Sequence, residues 1–163
     1  MSNHQVDHIE MQVPAKSEYI GVVRLTLSGV ANRLGFSYDD IEDMKIAIAE
    51  ACTNVVNHAY EGDGIINISY RIYENEKIEI IVSDKGQSFD VNKVHEKLGP
   101  IDAKKPVTEL KEGGLGLYLI NTLMDKVEIH EESGVVVIMT KFMQGDEVEQ
   151  HVNGFPSART EQR

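Results

Sequence analysis

The stretch that most narrows the possible folds begins at Ser37. From there to about residue 60, Ile41, Met44, Ile48, Ala51, Cys52 and Val55 recur at helical spacing. One face of a long helix is therefore apolar and forms core. Ser37, with Asp40 three residues on, resembles a capping box that opens this helix.

Shorter patterns flank it. Loose alternation over 6–13 predicts a first strand, and 17–34 reads as a first helix with Leu25, Leu27, Val30 and Leu34 as its apolar positions, closed by Gly35. Residues 64–73 and 77–83 read as a hairpin turning at Glu74, Asn75 and Glu76. The stretch that follows Asp84-Lys85-Gly86 and runs to Gly114 is poor in apolar periodicity, and a connection of that length inside a domain is usually functional, so it is expected to be a lid. A third helix over 115–124 leads to strands over 126–131 and 135–142, separated by Glu132, Ser133 and Gly134. One domain over 1–145 is expected, followed by a polar, mobile tail over 146–163.

Composition removes several classes of function. Sixteen basic against 27 acidic residues give a net charge of −11, which repels a phosphate backbone, so direct nucleic-acid binding is not expected. No apolar run approaches the roughly 20 residues that cross a bilayer, and residues 1–8 lack the hydrophobic centre of a targeting segment. A cytoplasmic protein without a membrane partner is expected. The single cysteine, Cys52, cannot form an internal disulfide and lies on the apolar stripe, where it reads as core.

Three separated features carry chemistry. Glu50, Asn54, Asn57 and His58 stand at i, i+4, i+7 and i+8 of the long helix and share one face. Asparagine is a poor helix former, so two of them here work against local propensity, although solvated polar faces are routine. Asp84-Lys85-Gly86 closes an apolar strand. An ionised aspartate only accepts hydrogen bonds and suits the amino group of adenine, while Gly86 allows close approach of the backbone. The same triplet is also common turn chemistry. Gly113-Gly114-Leu115-Gly116-Leu117 opens the third helix, and free amides at a helix start attract phosphate oxygens. It lacks the lysine and hydroxyl of a P-loop and the third glycine of a dinucleotide fingerprint.

In this order, the three features resemble the nucleotide-binding boxes of the GHKL ATPase superfamily over residues 6–143. The string Glu-Ala-Cys-Thr-Asn-Val-Val-Asn-His-Ala-Tyr and Lys105-Pro106 in the lid are similar to the anti-sigma-factor serine kinases within it. The resemblance implies a two-layer α/β sandwich of the GHKL (Bergerat) type: a mixed, mostly antiparallel sheet with helices on one face. ATP would lie between the helices and the lid.

It also implies roles. Glu50 is the expected general base on a protein hydroxyl. Asn54 is the expected ligand of magnesium, which prefers oxygen donors, with Asn57 and His58 farther along the same site. Asp84 and Gly86 would meet adenine, with Thr140 on the last strand assisting. Gly114, Leu115, Gly116 and Leu117 would pass the phosphates. Lys111 stands where the family carries a lid arginine, and offers a point charge in place of a planar fork. Arg24, on the first helix, would face the protein partners. Those partners would be a sigma factor of the sigma-B type and an anti-anti-sigma protein phosphorylated on serine with ATP and Mg2+, and the chain would form a homodimer.

Two alternatives stay in view besides a kinase serving a different sigma factor. A histidine-kinase catalytic domain would need a phosphoacceptor helix for which the chain has no room. A non-catalytic ATP-dependent binding module would have no use for a carboxylate at the phosphate end.

Overall fold

The computed structural model describes residues 6–58, 64–84, 114–130 and 134–143. Its elements follow the order β1 (Val6–Pro14), a 3-10 turn (Ser17–Tyr19), α1 (Ile20–Leu34), α2 (Tyr38–His58), β2 (Ile65–Tyr73), β3 (Lys77–Ser83), α3 (Gly114–Leu123), β4 (Lys126–His130) and β5 (Val136–Phe142). The five strands form one sheet in the order β1-β2-β3-β5-β4. Every neighbouring pair is antiparallel, so the described sheet is not mixed.

Local chemistry explains the element ends. Gly35 takes φ 93°, a left-handed cap that suits glycine, and its N–H returns to Ala31 and Asn32. Ser37 Oγ accepts from the Asp40 N–H at 3.1 Å, which satisfies one of the free amides opening α2. Between β2 and β3, Asn75 takes φ 62°, and Glu76 N–H donates to Tyr73 O at 2.9 Å.

The helices cover one face of the sheet. In α2 the expected positions Ile41, Met44, Ile48, Ala51, Cys52 and Val55 are all buried, joined by Ala47. They meet Ile66, Ile68 and Tyr70 of β2, Ile78, Ile80 and Val82 of β3, and Val137 and Met139 of β5. Each of the Ile, Val and Met side chains among them contributes about 1.5–3 kcal/mol on burial.

In α1 the stripe differs from the sequence reading. Val23, Leu27, Val30, Ala31 and Leu34 are buried, whereas Leu25 is 75% exposed. Leu25 stands two residues from both Val23 and Leu27, which at 100° per residue points it away from the face they share. The helix also begins later than residue 17, because Ser17–Tyr19 forms a separate 3-10 turn.

One cluster fixes how the helices run. Lys141 Nζ donates to Leu123 O at the end of α3 at 2.8 Å and lies 3.8 Å from Asp40 Oδ1 in the first turn of α2. The start of α2, the end of α3 and the end of β5 therefore meet at one end of the molecule. The later turns of α2 and the first turn of α3 lie toward the opposite end. There β3 finishes, with Ser83 paired to Val136 and Asp84 N–H donating to Val135 O at 3.2 Å.

Candidate functional site

The end where α2 finishes and α3 begins holds most of the expected residues within the described part. Glu50 and Asn54 are half-buried on α2, and Asn57 is exposed one turn on. Glu50 and Asn54 face the first turn of α3. A Cβ on Gly116 would lie 2.9 Å from Glu50 Oε2 and 3.8 Å from Asn54 Oδ1. Glycine at 116 thus leaves room for the two oxygens beside the helix start. That start carries unsatisfied backbone N–H groups and the positive end of the helix dipole, which attract anions.

The α3 residues divide by direction. Gly114 is the first residue of the helix and Leu115 the second. Leu117 packs its side chain against the hydrophobic core. His58 is the last residue of α2. Gly86, Lys111, the rest of the lid and the tail over 146–163 lie outside the described residues.

Asp84 is anchored by the turn that precedes β5. Val135 N–H donates to its Oδ1 at 3.0 Å. Gly134, at φ 129°, packs so closely against the carboxylate that an added Cβ would collide with Oδ1. In the sequence Gly134 reads only as part of a turn. Antiparallel hairpin arithmetic is the signal that finds it: a β5 returning beside β3 brings its own beginning next to the end of β3.

The same arithmetic corrects Thr140. It pairs with Glu79 and Lys126, next to Lys141 at the far end of β5, and lies on the sheet face turned away from the helices. The structure does not bring Thr140 to Asp84, because β5 runs antiparallel to β3 and its first residues, not its last, reach that carboxylate.

Cys52 is fully buried, and burial pushes its thiol up to about 12. It is therefore protonated at neutral pH and is no nucleophile, since only the thiolate attacks. Arg24 is exposed on α1. Among the described residues no group of three or more His, Cys, Asp and Glu side chains is placed to hold a metal ion. The oxygens of Glu50 and Asn54 suit a hard cation such as magnesium, which typically takes one or two protein ligands and completes its shell with phosphates and water.

Residues 13–141 match the model of the histidine kinase-like ATPase domain. The chain is 64% identical, over all 163 residues of both proteins, to the serine-protein kinase RsbW of Halalkalibacterium halodurans. It is 57% identical to the serine-protein kinase RsbW of Bacillus cereus (strain AH820), over 148 residues covering 90% of this chain and 92% of that one. A crystal structure of the RsbU and RsbW domains of a Mycobacterium tuberculosis protein superposes with a TM-score of 0.60 at 20% identity. That match covers 84% of this chain and 32% of the longer one, and it shows a shared fold. The chain belongs to the histidine kinase-like ATPase family, and within it to the RsbW serine-protein kinases.

Proposed function

We propose that the chain is a protein-serine kinase that uses Mg-ATP to phosphorylate an anti-anti-sigma protein and, in alternation, holds a sigma factor of the sigma-B type inactive. The observation that carries the reading is the juxtaposition of Glu50 and Asn54 with the opening turn of α3 at Gly116. A carboxylate and an amide oxygen stand where a helix start attracts phosphates.

In this mechanism Asp84 accepts from the adenine amino group, and the amides opening α3 receive the phosphates. Asn54 would hold magnesium through its side-chain oxygen, and the ion would supply positive charge to the phosphates. Glu50 accepts the proton of the substrate serine as its oxygen forms a bond to the γ-phosphorus. The bond from that phosphorus to the bridging oxygen breaks, and ADP leaves. Lys111 is the proposed positive charge on the transferring group; His58, Asn57 and Gly86 are proposed to line the same site.

Partner binding is assigned to α1. Arg24 is exposed there beside Leu25 at 75% and Val22 at 46% exposure. Among the described residues, nothing beyond their own helix backbone and chain neighbours lies within 4 Å of where a side chain on Gly21 or Gly29 would begin. Glycine within a helix costs about 1 kcal/mol relative to alanine, so a close approach from outside accounts for two of them. No helix among the described residues is long and apolar enough to cross a membrane. Action in the cytoplasm and as a homodimer completes the proposal.

Incubation with γ-labelled ATP, magnesium and a lysate of the source cells, followed by mapping of the labelled protein, tests it. Label on a serine of a small protein that competes with a sigma factor for this chain is expected. Label only on histidine would favour the histidine-kinase alternative.

A further inference from the structure

Asp84 is held from behind by one oxygen. Its Oδ1 accepts from Val135 N–H at 3.0 Å, while its own N–H donates to Val135 O at 3.2 Å. Gly134 closes the same contact, since a methyl there would strike Oδ1 and its φ of 129° disfavours any other residue. Among the described residues Oδ2 accepts no hydrogen bond, and it is the oxygen left for a ligand.

We infer that the Val135 N–H fixes the hydrogen-bonding polarity of whatever side chain occupies position 84, which makes the Gly134–Val135 turn a determinant of nucleotide base choice. The inference rests on the reading that Asp84 meets the 6-position of the purine. A carboxylate is indifferent to this constraint, because both its oxygens accept. One serves the backbone and the other serves a 6-amino group. An asparagine is not indifferent. Its amide has one accepting end and one donating end, and the part-buried Val135 N–H demands the accepting end. The NH2 group is then turned to the base, where it suits a 6-oxo purine and opposes a 6-amino one. Asp84→Asn therefore inverts base preference where a freely rotating amide would only blur it.

The probes are ATP and inosine triphosphate, which differ at the 6-position and its neighbouring ring nitrogen. Binding of each with magnesium is measured calorimetrically on the full chain. The parent is expected to prefer ATP by about tenfold or more, and Asp84→Asn to prefer inosine triphosphate by a similar factor, since a mismatched buried polar pair costs that much. Equal affinity of the variant for both would overturn the polarity inference and leave Asp84 at the base. A parental preference in the variant would overturn both the inference and the placing of Asp84. Gly134→Ala gives an independent arm that keeps aspartate at 84. Displacing Oδ1 from Val135 should lower the preference for ATP over inosine triphosphate, and an unchanged ratio in folded protein would remove the turn from base selection.

Discussion

Replacing Gly116 with alanine adds one methyl group between two elements that the account needs in register. The new Cβ would start 2.9 Å from Glu50 Oε2, which is 0.5 Å short of the 3.4 Å where ordinary contact begins, and 3.8 Å from Asn54 Oδ1, already within the ordinary range. The nearer atom is the tip of a flexible side chain, so the carboxylate turns aside and the backbone stays. Alanine also has a higher helix propensity than glycine, by up to about 1 kcal/mol. Thermal stability should therefore change by less than about 1 kcal/mol in either direction. Turnover should respond differently. Misplacing a reacting group by about 1 Å can cost about 10²-fold, so a shift of about half that or more predicts a loss of about 10- to 100-fold in phosphoryl transfer. Single-turnover transfer from labelled ATP to the acceptor protein, alongside thermal unfolding, separates the two. ATP affinity should fall less than the rate, because the proposed adenine contact is at Asp84. A folded variant that transfers phosphate at the parental rate would refute the claim that room at 116 sets the position of Glu50.

Two further substitutions probe the ends of α2 and α3. Asn54→Ala removes the proposed magnesium ligand and leaves Asp84 intact, so a higher magnesium requirement for turnover is expected; coincident metal titrations of variant and parent would end that assignment. Lys141→Met keeps the buried stem but deletes the 2.8 Å bond to Leu123 O and the charge facing Asp40. A loss of about 1–2 kcal/mol in urea unfolding is expected from a charge-assisted hydrogen bond of this kind, and an unchanged midpoint would show that the cluster does not hold the two helices.

Much of this architecture is legible in the residues because its signals are local. The α2 stripe from Ile41 to Val55, the Ser37 cap and the β2–β3 hairpin each depend on neighbours within a few positions, and all stand where periodicity and capping place them. The juxtaposition of Glu50 and Asn54 with Gly116 joins segments more than 60 positions apart, and the family resemblance is what linked them beforehand. The misplacements have one source, which is direction. Leu25 is apolar but points away from the α1 stripe. Thr140 lies on the right strand but at its far end, because position along β5 depends on whether it runs with or against β3. Gly134 looks like ordinary turn chemistry until the pairing of Ser83 with Val136 sets it against Asp84.

In the proposed mechanism one carboxylate separates phosphoryl transfer from nucleotide binding, and Glu50→Ala removes that carboxylate alone. Glu50 has no proposed contact with adenine, and removing a negative charge near the phosphates relieves repulsion. ATP affinity measured by calorimetry should hold or rise slightly, while the rate of serine phosphorylation should fall by about 10² to 10⁴, the usual contribution of a positioned base. A variant that phosphorylates its partner at the parental rate, or one that stays folded by circular dichroism yet no longer binds ATP, would contradict the account.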